Sequence, residues 1–142
     1  MSDLVEVAKK ILLENRRAGY TLPTNNKLYP AQWNWDSAFI SLGYSYFNLD
    51  YAIQELETLL KGQWDDGMVP HILFHEVDDS YFPNHTTWSC GKVIPSSGIT
   101  QPPIAASILR IIVKNNSLDE TQNKKVFNLV TTEWFDSFQA SF

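Results

Sequence analysis

At 142 residues, with 44% hydrophobic and 13% aromatic content, the chain has the length and apolar surface of one folded domain, and a disordered chain is not expected. The formal net charge is -5, and lysines and arginines come no more than two together, as in Arg16-Arg17 and Lys124-Lys125. A nucleic-acid or anionic-membrane surface, which needs concentrated positive charge, is therefore excluded.

Cys90 is the single cysteine, which rules out an intrachain disulfide and a thiolate metal cluster. The first residues, Met1-Ser2-Asp3-Leu4-Val5-Glu6, are acidic and amphipathic, and no stretch approaches the roughly 20 apolar residues of a membrane span. A cytoplasmic protein is expected. Asn84-His85-Thr86 and Asn115-Asn116-Ser117 match the glycosylation acceptor pattern, and without a secretory signal they are read as chance.

In chain order, residues 3 to 18 place Leu4, Ala8, Ile11, Leu12 and Asn15 at helical spacing, with Asp3 and Glu6 as a capping box and Gly19 as the stop. An irregular loop, residues 20 to 35, follows and holds Pro23, Asn25, Asn26 and Pro30. It delivers the stretch Tyr29-Pro30-Ala31-Gln32-Trp33-Asn34-Trp35-Asp36-Ser37, in which two tryptophans, a carboxylate and two amides crowd together. If that stretch is extended, side chains two apart share a face, so both indoles point one way and Asn34 the other. Asp36 then falls where a helix starts, as an N-cap. The pattern suits the floor of a sugar-binding pocket, and equally an N-cap with two core tryptophans.

A second helix is expected from Ser37 to Phe47, with Phe39, Ile40, Gly43 and Phe47 on one stripe. Gly43 inside it costs about 1 kcal/mol of helix propensity and suggests a close crossing with a neighbour. Asp50 is placed as the cap of a third helix, Tyr51 to Lys61, with Ile53, Leu56, Leu59 and Leu60 facing inward and Gly62 as its stop. The short link makes these two helices an antiparallel pair.

The connection from Gln63 to about Ser97 runs roughly 35 residues, far beyond the usual helix-helix link, so it is functional or disordered, and its tryptophans, histidines and prolines favour function. Residues Met68 to Phe74 suit a short strand-like piece. Thr100 is placed as the cap of a fourth, deeply buried helix with Gln101, Pro102 and Pro103 in its first turn. Ser117 and Glu120 read as the capping box of a fifth, which carries Val126, Phe127, Val130, Trp134 and Phe135 almost to Phe142. The closing Gln139-Ala140-Ser141-Phe142 has no stop signal, which fits a chain cut short.

Carboxylates gather at Asp36, at Asp65-Asp66 and at Glu76, Asp78 and Asp79. Glycoside hydrolysis needs two, about 5 Å apart for retention or roughly 6.5 to 9.5 Å for inversion. Asp65-Asp66-Gly67 reads as a turn and Asp78-Asp79-Ser80 as a solvated loop. His71, His75 and His85 with Asp78 raise a metal site, but they lack helical ligand spacing and are read as structural or sugar-bonding, so no metal is assigned. Cys90 has no base beside it, and Ser96-Ser97-Gly98 lacks the nucleophile-elbow spacing.

Four segments taken together carry a resemblance. Gln32-Trp33-Asn34-Trp35-Asp36-Ser37-Ala38-Phe39, Gln63-Trp64-Asp65-Asp66-Gly67-Met68-Val69-Pro70-His71-Ile72, Tyr81-Phe82-Pro83 and Ser97-Gly98-Ile99-Thr100-Gln101-Pro102-Pro103 resemble, in this order, the N-terminal third of glycoside hydrolase family 63. Within it they look most like the bacterial mannosylglycerate and glucosylglycerate hydrolases. The resemblance implies an all-α fold, part of an (α/α)6 barrel with about five of its twelve helices, residues 1 to 142 being an N-terminal fragment of that catalytic domain. It implies inverting hydrolysis of an α-glycosidic bond by an aspartate acid and a glutamate base, both in segments beyond these residues, so no catalytic residue is assigned. It implies Tyr29, Trp33, Trp35, Asp36, Tyr81 and Gln101 as substrate contacts, with Asp36 a binder of sugar hydroxyls.

No cofactor is expected. The partner is a small-molecule glycoside, with self-association through exposed barrel edges. The competing classes are a non-catalytic carbohydrate-binding or helical interaction module, which would fold cooperatively as a monomer and bind sugar by itself, and a structural helical domain, which would bind none; a barrel arc differs from both in leaving apolar helix faces uncovered.

Overall fold

A computed structural model describes residues 2–24, 28–76 and 78–131. In order they form α1 (Ser2–Asn15), β1 (Gln32–Trp33), α2 (Asn34–Ser45), α3 (Leu49–Leu60), β2 (Ile72–Leu73), α4 (His85–Trp88), α5 (Ala105–Asn115) and α6 (Glu120–Thr131). The fold is all-α with one small ribbon, as expected. The described residues hold six helices where five were anticipated, because the single turn α4 is too short to leave a periodic signal.

The antiparallel pair α2 and α3 is the centre of the core. The inner face of α2 is built from Ser37, Ala38, Ser41, Tyr44 and Ser45 rather than from the stripe that includes Phe39, and its small side chains let α3 approach closely. Ser41 Oγ donates across the gap to the Ala52 carbonyl at 2.7 Å. Ile53 and Leu56 of α3 and Ile108, Leu109 and Ile112 of α5 close over this face, with Leu129 of α6 completing the cluster. Gly43 marks the crossing with α1: a Cβ there would lie 3.1 Å from Leu12 Cδ1.

Several boundaries differ from expectation for local reasons. Helix α3 is capped by Asn48, whose side chain accepts from the Tyr51 amide at 3.0 Å, and Asp50 falls inside the first turn. Helix α5 begins only at Ala105, because Pro102 and Pro103 each push the residue before them out of the helical region. Thr100 instead donates its hydroxyl to the Val69 carbonyl at 2.7 Å. Helix α6 does open on a capping box, but one shifted to Asp119 and Gln122, whose side chains and amides bond reciprocally at 2.8 and 3.1 Å. Trp134, Phe135 and the rest of residues 132–142 lie outside the described residues. Helix α1 stops at Asn15, and of its expected inward stripe only Leu12 and Asn15 pack inside; Leu4 is 76% exposed.

The long connection is folded. β1 and β2 pair antiparallel, Gln32 opposite Leu73 and Trp33 opposite Ile72. The segment from 95 to 99 runs along the same ribbon, with bonds from the Phe74 amide to the Pro95 carbonyl and from the His71 amide to the Ile99 carbonyl, both 2.8 Å. Asp65-Asp66-Gly67 forms the expected turn, Trp64 and Met68 closing it while Asp66 Oδ1 accepts from the Met68 amide. The connection is thereby fastened to the point where α2 begins.

Candidate functional site

At the junction of β1 and α2 the backbone changes from extended at Trp33, with φ -103° and ψ 138°, to helical at Asn34. A helix turns successive side chains by about 100°, so the i, i+2 relation of a strand no longer applies and the two indoles diverge. Trp33 is 6% exposed and packs among Ala31, Ile72, Phe74, Tyr81 and Trp88; Trp35 is 42% exposed. Asp36 is correspondingly not the N-cap: it sits in the first turn of α2, and no side chain of the cap residue bonds the helix start.

The free amides at that start are met from a distance. The Asn34 amide donates to the His71 carbonyl at 3.0 Å, and the Trp35 amide donates to Gln101 Oε1 at 2.9 Å. Asn34 Nδ2 donates to the Val69 carbonyl, on which Thr100 also converges. Three of the quoted segments thus meet at the N-terminus of α2.

The aromatic residues divide into two groups. Tyr29 and Tyr81 meet Trp33 edge-on, with ring centroids 5.3 and 5.8 Å away and planes at 90° and 89°. Trp35 lies against Phe39 at 5.7 Å and is tied to Gln101. Asp36 follows Trp35 in the chain, and burial raises its carboxyl above the usual range, its backbone amide bond opposing this.

Two of the three histidines of the connection hold the scaffold. His71 Nδ1 lies 2.6 Å from Ser97 Oγ and His75 Nε2 lies 2.7 Å from Gln32 Oε1; burial lowers the pKa of both. Among the described residues no three metal-ligating side chains come together. Cys90 Sγ leans on the Trp88 carbonyl at 3.4 Å.

One residue escaped the sequence reading. Glu55 is fully buried, is hydrogen-bonded to Thr21, Gln32 and Ser37, and is pushed up to about 7 by burial against those bonds. Its signal is its place on α3: position 55 lies three residues after Ala52 and four before Leu59, inside the apolar stripe.

Residues 29–142 match the family described as the mannosylglycerate hydrolase MGH1-like glycoside hydrolase domain. The chain belongs to this family. It is 45% identical over 92% of its length to mannosylglycerate hydrolase MGH2 of Selaginella moellendorffii, of which it covers 28%. It is 39% identical over 62% of its length to the glucosylglycerate hydrolase of Mycolicibacterium hassiacum, of which it covers 21%. In structure it resembles the family 63 mannosylglycerate hydrolase of Thermus thermophilus solved with Tris and D-glycerate, with TM-score 0.86 and 38% identity over 96% of this chain and 32% of that one. The chain therefore spans about a fifth to a third of the length of these relatives. Within the MGH1-like family, hairpin α2–α3 and its neighbours are an arc of the (α/α)6 barrel, and the start of α2 is one point where loop segments converge.

Proposed function

We propose that this chain supplies the substrate-binding wall of an inverting α-glycosidase that acts in the cytoplasm on a small glycoside such as mannosylglycerate or glucosylglycerate. The observation that carries this is the bond from the Trp35 amide to Gln101 Oε1. It joins residues 66 positions apart at the N-terminus of α2 and leaves the Trp35 indole exposed beside Asp36. An exposed indole offers an apolar face to sugar C–H groups, and a few directed polar groups fix orientation. Asp36, the Gln101 amide nitrogen and the hydroxyls of Tyr29 and Tyr81 fill that polar role, while Trp33 supports the two tyrosines from behind.

Inversion requires an acid and a base on opposite sides of the scissile bond. Asp36 is a binder in this scheme, and Glu55 is sealed in the core, out of reach of a sugar. The acid and base come from elsewhere in the barrel, and the 142 residues alone bind without hydrolysing. Calorimetric titration of the chain with mannosylglycerate and glucosylglycerate, alongside a sugar-release assay, tests both parts. Binding that Trp35→Ala weakens about tenfold, with no sugar release, is expected. Hydrolysis by the chain would overturn the division of roles, and equal binding by Trp35→Ala would overturn the site.

A further inference from the structure

Glu55 has no exposed side-chain surface, and neither of the ion pairs formed among the described residues involves it. Its carboxyl collects neutral groups instead. Ser37 Oγ at 2.7 Å and Gln32 Nε2 at 3.1 Å meet Oε1, and Thr21 Oγ1 at 2.8 Å meets Oε2. Gln32 and Ser37 are the residues immediately before and after Trp33-Asn34-Trp35-Asp36. One buried oxygen therefore holds both ends of the segment that carries the candidate sugar contacts. The Gln32 amide has a single consistent orientation: its Nε2 also meets the Glu55 backbone carbonyl at 3.2 Å, which can only accept. Oε1 is then the end that faces His75, which must donate through Nε2–H.

The hydrogens can be counted through the rest of the network. Thr21 Oγ1 also lies 3.1 Å from the Tyr44 hydroxyl, which lies 2.8 Å from the Leu12 carbonyl. Each hydroxyl has one hydrogen. With Glu55 ionised, Thr21 gives its hydrogen to the carboxylate and Tyr44 gives its own to Leu12, leaving two oxygens in contact with no hydrogen between them. With Glu55 as the acid, Oε2–H donates to Thr21, Thr21 to Tyr44 and Tyr44 to Leu12, and every contact has its proton.

Among the described residues no charged side chain bonds the carboxyl itself. Burial raises the hydroxyls of Tyr20 and Tyr44 and lowers His75 beyond the Gln32 amide, while the charge and hydrogen bond of Arg16 oppose the rise at Tyr44. Glu76 and Arg17 act on Tyr20 with opposite signs, and the Arg16 guanidinium is stacked 3.8 Å from the Tyr51 ring centroid and 5.6 Å from that of Tyr44.

We propose that Glu55, as a neutral carboxylic acid, is the positioning residue for the sugar-facing segment Trp33–Asp36, clamping it from behind at Gln32 and Ser37, and that ionising it loosens that segment by leaving an unpaired charge in the core and no proton between Thr21 and Tyr44, a cost that outweighs the stronger bonds to Gln32 and Ser37. The clamp's functional meaning rests on the binding-wall reading above, and its geometry does not. The raised pKa of Glu55, about 7, places the loosening near neutral pH.

The test uses the full 142-residue chain with Glu55→Gln and Glu55→Leu. The indole N–H signals of Trp33 and Trp35 are followed by NMR from about pH 5 to about pH 8, and mannosylglycerate affinity is measured across the same range. Glutamine reproduces the acid's pattern, accepting from Ser37 and Gln32 and donating to Thr21. The wild type is expected to show an indole titration near neutral pH and affinity falling about tenfold toward the alkaline end, while Glu55→Gln shows neither and binds within about twofold throughout. Titration of His71 and His75 is common to both proteins and cancels in the comparison. Glu55→Leu, which cannot accept from Gln32 or Ser37, is expected to bind about tenfold more weakly at every pH. Identical pH profiles in wild type and Glu55→Gln would overturn the proposal, as would Glu55→Gln binding no better than Glu55→Leu. If Glu55→Leu does not fold, the wild type and Glu55→Gln decide. If the wild type binds no glycoside, the binding-wall reading fails and the indole titration still decides Glu55.

Discussion

Asp36, proposed above as a sugar contact, carries a folding cost. Burial raises its carboxyl pKa, so the ionised form is disfavoured in the folded chain relative to the unfolded one. For a raised acid the stability contribution is complete below the unfolded value and is lost as pH rises through the folded value. Asp36→Asn removes that loss. The variant is expected to melt higher than wild type at neutral pH, to lose its advantage as pH falls through the carboxylate range, and to bind glycoside more weakly, because charge-assisted hydrogen bonds are stronger. Thermal melts at several pH values with a parallel sugar titration check this; a variant that melts lower at neutral pH would show that the helix start needs the charge. Asp36 was legible in sequence as a polar residue at a helix start, but its exact place in the helix was not. Glu55 was illegible for the opposite reason, because a glutamate within a charged helix ordinarily faces water, and only hydroxyl and amide partners from distant segments make its burial tolerable.

Two glycines were both noticed in the sequence and turn out to do different things at the level of elements. A Cβ on Gly62 would lie 2.3, 2.5 and 2.9 Å from three side-chain atoms of Leu73, which is itself fully buried in β2. Gly62→Ala is expected to cost about 1–3 kcal/mol, because the end of α3 and the ribbon cannot both stay in place. A Cβ on Gly43 meets only Leu12 Cδ1, at 3.1 Å, on the thinly covered helix α1. There the clash is offset by about 1 kcal/mol of gained helix propensity, so Gly43→Ala is expected to be close to neutral. Denaturant unfolding of the two variants distinguishes them, and a Gly43→Ala loss as large as that of Gly62→Ala would mean that α1 is held more rigidly than its exposure indicates. Helices α3 and α5 were legible because their apolar spacing survives any change of partner, whereas α2 was found as a helix but its inner face, made of small and polar side chains, was not. The ends of all three were not legible, because Asn48 outcompeted Asp50, the proline pair delayed α5, and the start of α2 is completed by Gln101 from far along the chain. The divergence of Trp33 and Trp35 follows from that last fact.

An (α/α)6 barrel closes on itself, so each hairpin is flanked by two others, and an arc of the barrel leaves flanks without those neighbours. The described residues show such a flank between α5 and α6, a groove of about 600 Å³ lined by Leu109, Val113, Val126 and Val130 and edged by Arg110 and Lys114. Ile111 and Phe127, on the same two helices, are also exposed, Phe127 by 63%. Apolar surface of this kind is uncommon on a monomer and favours association. The 142-residue chain alone is therefore expected to self-associate, its mass rising above 16.3 kDa with concentration in sedimentation velocity. Val113→Asp, which places an unpaired charge in the groove without touching the start of α2, is expected to shift the population toward monomer while leaving glycoside binding intact. A wild-type chain that stays at 16.3 kDa at every concentration would show the flank to be self-sufficient. In that case the arc would fold and bind sugar as an independent module rather than as one wall of a larger pocket.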